Sequence, residues 1–109
     1  MNPPKPMQEA VHLRPDELQC LREVLQQHLS SKARVWLFGS RATSLRLKPS
    51  SDIDLLIDDP AFDLAHRAEL VEGLGASDLP MRVDIVDARQ DNPDFIQTIR
   101  SAGIVPLKL

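Results

Sequence analysis

The chain has no tyrosine, three phenylalanines and one tryptophan, so aromatic side chains make up only 4% of its 109 residues. Modules that read unpaired bases stack them on such rings, and that route is closed. A basic surplus is missing as well: 13 Lys and Arg against 16 Asp and Glu leave a net charge of −3. General nucleic-acid binding, which needs cations to displace counterions from phosphates, is excluded with it. Cys20 is the single cysteine, so there is no internal disulfide, and it reads as a small buried hydrophobe in a reducing, cytoplasmic setting. No apolar run approaches the roughly 18 residues of a membrane helix, and the first residues lack the apolar core of a signal peptide.

What is present is an ordinary globular mixture, 42% hydrophobic and 27% charged, with the length of one domain. A domain this small buries a core but does not also enclose a deep cleft on every side. An enzyme built on it would take part of its site from a partner. Residues 1–12, with three prolines among the first eight, read as a flexible N-terminal arm, and 13–109 as the domain.

Pro15 suits a first helical position, and Asp16 and Glu17 favour the positive end of the helix dipole. Leu18, Leu21, Leu25 and then His28 or Leu29 give that helix one apolar stripe, widened by Cys20 and Val24. Arg34–Phe38 is short, β-prone and ends at Gly39, which predicts a strand. A short helix from Ser40 to about Leu45 and a loop over 48–51 follow, then a strand from Asp52 to Ile57. A helix near 63–74 is expected to face Leu64, Ala68, Val71 and Leu74 inward, ended by Gly73 or Gly75. Met81–Val86 is a third strand, and Asn92-Pro93-Asp94 opens a last helix to about Arg100 with Phe95, Ile96 and Ile99 on its core side. Gly103 stops it, and Ile104-Val105 reads as a short edge strand before Pro106. The alternation of helix and strand predicts an α/β (α+β) fold, a small mixed sheet backed by helices.

Chemistry concentrates in three places. Alternate residues of a strand share a face, so Asp52 and Asp54 project together with α-carbons roughly 6–7 Å apart. Hard oxygen ligands so spaced suit Mg²⁺, which takes one or two carboxylates plus substrate phosphates; the bland alternative is a solvated strand end. Asp84 stands mid-strand where an apolar residue would be expected, and an unpaired carboxylate there is costly to bury. Placed beside Asp52–Ile57, it would complete a trio suited to in-line phosphoryl displacement. The alternatives are that Asp84 pairs with Arg82 or Arg100, or that Asp87 faces the site instead. Finally, Phe38-Gly39-Ser40-Arg41 leads from strand to helix, where backbone N–H groups point at an anion, with Arg41, Arg46 and Lys48 as nearby cations. The histidines His12, His28 and His66 lack metal-ligand spacing, and Trp36 reads as a core or interface residue.

Gly39-Ser40-Arg41-Ala42, then Ser51-Asp52-Ile53-Asp54-Leu55, then Arg82-Val83-Asp84-Ile85-Val86-Asp87 together resemble the minimal nucleotidyltransferases of the DNA polymerase β superfamily, from about Leu18 to Val105. The resemblance implies a nucleotidyltransferase (polymerase β-like) core in which Gly39, Ser40 and Arg41 bind the nucleotide. It further implies that Asp52, Asp54 and Asp84 are both catalytic and metal-binding, holding two Mg²⁺ ions with ATP as substrate, and that Asp84 is placed as general base. Small members of this family resemble antitoxins that adenylylate a tyrosine of a helical HEPN-type toxin, which implies a hetero-oligomer away from any membrane. Ser44 stands where the family usually has glycine, and eleven residues separate Ser40 from Asp52 where ten is more usual. The alternative reading is therefore a weakly active or inactive subunit that neutralises or completes a helical partner by contact. A response-regulator receiver also gathers acids around Mg²⁺, but its acidic pair follows the first strand, where this chain has Gly39-Ser40.

Overall fold

The computed structural model describes residues 11–43, 47–48 and 50–109. The elements run α1 (Pro15–His28), β1 (Arg34–Phe38), α2 (Ser40–Thr43), β2 (Ile53–Asp58), α3 (Leu64–Gly75), β3 (Val83–Asp87), α4 (Pro93–Ala102) and β4 (Val105–Leu107). The strands form one sheet in the order β3-β2-β1-β4. β1 is antiparallel to both β2 and β4, while β2 and β3 are parallel, with α3 as their crossover. The expected α/β architecture with a mixed sheet is what is found. Pro106 lies within β4 rather than after it, on an edge strand where its missing N–H is tolerated.

Period-two alternation divides the sheet cleanly. One face carries Val35, Leu37, Ile53, Leu55, Ile57, Ile85 and Leu107, packed against Leu21 and Leu25 of α1 and Leu70 and Leu74 of α3. The other carries Leu56 and Val86 under Ile96 and Ile99 of α4, with Trp36 and Phe38 alongside. Asp63 caps α3 by accepting the His66 N–H, and Asn92 caps α4 by accepting the Asp94 N–H, each satisfying one orphan donor of a first turn.

Two sequence expectations need correction. On α3, Leu74 faces inward as expected, but Leu64 is 84% exposed, Val71 is 51% exposed and Ala68 is exposed too. The inner stripe is Arg67, Leu70, Gly73 and Leu74. At Gly73 an added Cβ would lie 2.7 Å from Nε2 of His28, the side chain that ends α1. Phe95 is likewise exposed, since Ile96 and Ile99 are the apolar residues of α4 that are buried against the sheet. Of the expected arm, residues 1–10 lie outside the described residues, as do Ser44, Leu45 and Arg46. Val11 is buried in the larger core cluster, so the packed chain has begun by that residue.

Candidate active site

The register settles where the acids go. On the α4 side of the sheet, Val86, Leu56 and Trp36 form one cross-strand row; the next row is Asp84, Asp54 and Phe38. The first row is roofed by the apolar residues of α4, and the second lies at the edge of that cover, where Asp84 keeps 42% of its side chain exposed. Asp54 and Asp84 are thus direct neighbours on one face. Asp87 belongs to the opposite face, where it is 3% exposed and accepts the Arg89 N–H at 2.9 Å. Asp52 precedes β2 rather than starting it, and is exposed.

Gly39 closes the site from β1. Its φ of +71° is the left-handed region that favours glycine, and an added Cβ would lie 2.5 Å from Asp54 Oδ2. No other residue lets the turn sit this close to the carboxylate. The Gly39 carbonyl accepts the N–H groups of Ala42 and Thr43 and the Thr43 hydroxyl, which winds the chain directly into α2. Ser40 is the first residue of that one-turn helix.

Electrostatics follow from this crowding. Burial, then the charges of Asp84 and Asp52, push the Asp54 carboxyl up to about 6, with Arg82 opposing them. Arg82 reaches Asp84 at 3.0 Å and is itself held above its ordinary value, first by that hydrogen bond and then by the charges of Asp84, Asp52 and Asp54. The pairing of Arg82 with Asp84 was one of the alternatives open in the sequence, and the structure realises it without moving Asp84 off the Asp54 face. A cation two residues before an acid on a strand shares its face, and that spacing was the available signal for Arg82 as part of the site.

Arg41 is placed differently from the expectation that it binds nucleotide. It is 5% exposed, and its guanidinium donates to the carbonyls of Ser51 and His12. Lys48 is exposed, its N–H donating to the Ser51 hydroxyl.

Among the described residues, no three His, Cys, Asp or Glu side chains stand close enough together to hold one ion. The donor set nonetheless fits a hard divalent cation: carboxylate oxygens that repel one another, with Asp54 raised first by burial and then by its acidic neighbours. Asp84 would have to exchange Arg82 for the ion.

Comparison with known proteins identifies the family. Residues 19–107 match the family described as Polymerase beta, Nucleotidyltransferase. The chain is 37% identical over 94 residues to the probable protein adenylyltransferase MntA of Haemophilus influenzae, covering 85% of this chain and 81% of that protein. Among solved structures, a toxin–antitoxin complex with AMP-PNP superposes with a TM-score of 0.68 at 24% identity, covering 84% of this chain and 72% of that one. A tri-AMPylated Shewanella oneidensis HEPN toxin in complex with its MNT antitoxin gives 0.65 at 23% identity, over 88% and 72% of the two chains. The fold is shared with these. This chain belongs to the polymerase β nucleotidyltransferase family.

Proposed function

We propose that the chain transfers AMP from ATP to a protein hydroxyl, a tyrosine of a helical HEPN-type toxin, and acts as the antitoxin of that pair. The observation that carries this reading is the juxtaposition of Gly39 with Asp54, and of Asp54 with Asp84, on the open end of one sheet face. The Gly39-Ser40 turn is the surface on which the triphosphate would lie, since a side chain at Gly39 would fill the space beside Asp54. Asp52, Asp54 and Asp84 would hold Mg²⁺. When bound, the metal would polarise the α-phosphate and neutralise the departing pyrophosphate.

In the transfer itself, the acceptor oxygen forms a bond to the α-phosphorus as the bond to the bridging β-phosphate oxygen breaks. Pyrophosphate leaves, and the hydroxyl proton passes to a carboxylate of Asp84. Asp84 keeps 42% of its side chain exposed, so it can meet an incoming hydroxyl. The exposed stripe of Leu64, Ala68 and Val71 on α3 supports a chain that works against a partner.

The relative's name supports protein adenylylation, and the solved complexes support a helical toxin as acceptor. The test is to express the chain with a HEPN-type partner protein and weigh that protein intact. Added AMP that depends on ATP and Mg²⁺, and disappears with Asp52→Ala or Asp54→Ala, is the expected result. Unmodified partner in every case would favour the second reading, a subunit that acts by contact, which the Arg82–Asp84 pair favours by occupying one of the acids.

A further inference from the structure

Asp52 differs from the other two acids in how it is held. Asp54 and Asp84 lie inside strands, and the β2–β3 ladder fixes their backbones. β2 begins only at Ile53, so Asp52 sits at the junction between loop and sheet. On one side the junction is pinned by the Ile53 N–H, which donates to the Arg82 carbonyl at 2.9 Å. On the other side it is pinned by a side chain. Arg41 Nη2 donates to the Ser51 carbonyl at 2.9 Å and Nε to the same oxygen at 3.3 Å, while Nη1 donates to the His12 carbonyl at 3.1 Å. The His12 N–H returns a hydrogen bond to the Arg41 carbonyl at 2.9 Å.

Ser51 is the centre of this arrangement. Its N–H donates to the Lys48 carbonyl at 3.0 Å, and its hydroxyl accepts the Lys48 N–H at 2.8 Å, which closes the turn that delivers the chain to Asp52. A guanidinium is always charged and presents a rigid planar fork, so two donors on one carbonyl restrain direction as well as distance. Such a group is buried only where acceptors meet it. Arg41 also belongs to the single turn of helix that begins at Ser40. One side chain therefore spans from the Gly39-Ser40 turn to the residue preceding Asp52.

We propose that Arg41 is a positioning residue: by clamping the Ser51 carbonyl it holds Asp52 at a set place relative to the Gly39-Ser40 turn, and so determines how tightly the site takes a divalent cation. The inference rests on the reading of Asp52 as a metal ligand given above. It also explains why a cation adjoining the nucleotide turn points inward rather than toward phosphate.

The experiment uses Mn²⁺ alone as the probe, titrated into the full chain and followed by electron paramagnetic resonance, with a melting curve for every variant. Arg41→Lys keeps the charge but loses the fork, and is expected to weaken Mn²⁺ binding about tenfold or more, as outer partners of metal ligands do. Asp52→Asn weakens it further, and the Arg41→Lys/Asp52→Asn double variant matches Asp52→Asn alone, because the arginine acts through the aspartate. Should Arg41→Ala fail to fold, Arg41→Lys and Arg41→Gln carry the same comparison. A folded Arg41→Lys that binds like wild type, or a double variant whose losses multiply, overturns the proposal. Wild-type affinity in Asp52→Asn instead removes the metal-ligand reading itself, and this inference with it.

Discussion

β2 is acidic at both ends, and the two ends are built in opposite ways. At its C-terminal end Asp58 is met by Arg89 at 2.6 Å and Arg34 at 3.4 Å. Asp59 beside it is 2% exposed and accepts the Ser30 N–H at 2.9 Å, the Ser30 hydroxyl at 2.5 Å and the Ala61 N–H at 3.0 Å. Burial alone would raise Asp59, but those hydrogen bonds and the Arg89 charge hold it below the ordinary carboxylate value. At the N-terminal end Asp54 is raised to about 6 by burial and by Asp84 and Asp52. The residue type is the same in both cases, Asp54 lying inside β2 and Asp59 just beyond its end. One end ties the segment after α1 to the end of β2; at the other, burial and the neighbouring acids disfavour the charge of Asp54.

The sharpest way to break this comparison is to neutralise each end in turn. Asp54→Asn is expected to lower AMP transfer about a thousandfold or more, the scale of losing a group that acts in the transition state, while the chain still folds. The check is labelled ATP with Mg²⁺ and the partner protein, alongside a circular dichroism spectrum. Asp59→Ala should do the reverse. It strands three donors around a buried position and is expected to cost about 2–3 kcal/mol of stability in chemical denaturation, with the transfer rate per folded molecule nearly unchanged.

A smaller effect sharpens the contrast through its sign. Asp54 binds its proton more tightly folded, at about 6, than at its ordinary 3.8. The chain therefore loses stability as pH rises from about 4 to 6, and the full penalty persists above that window. The distance from 3.8 to about 6 corresponds to at most about 3 kcal/mol, and the partial exposure of Asp54 reduces this to about 1 kcal/mol. In chelator at pH 7.5, Asp54→Asn is thus expected to be more stable than wild type by about 1 kcal/mol, an advantage that vanishes by about pH 4. Denaturant midpoints across that range check it. Smallest of all is Arg34→Ala. Arg34 is 72% exposed and Arg89 still holds Asp58, so a loss of at most about 0.5 kcal/mol is expected.

Much of this layout could be read from the residues. Gly39 after a β-prone run and Asp52-Ile53-Asp54 before another are local signals, and local signals survive into the fold. The register that sets Asp84 against Asp54 is not local, because nothing in either strand states which neighbours it takes. The inward face of α3 is not legible in the sequence for a physical reason. Apolar residues occur on both sides of that helix, and the buried side contains a glycine and an arginine. Gly73 yields to His28, and Arg67 reaches past the helix to the Ile85 carbonyl at 2.7 Å and to Asp91 at 3.2 Å. Arg41 escaped for a similar reason. An arginine next to a phosphate-binding turn reads as a phosphate ligand, and only tertiary packing reveals that its acceptors are carbonyls.

The central claim, that acids from β2, β3 and the residue ahead of β2 take a divalent cation beside the Gly39 turn, is tested most directly by calorimetric titration of the metal-free chain with Mg²⁺ and ATP together. Wild type is expected to bind, with a melting temperature that rises with ligand concentration by mass action, and Asp54→Asn to show neither heat nor shift. Equal binding by wild type and Asp54→Asn would contradict the account.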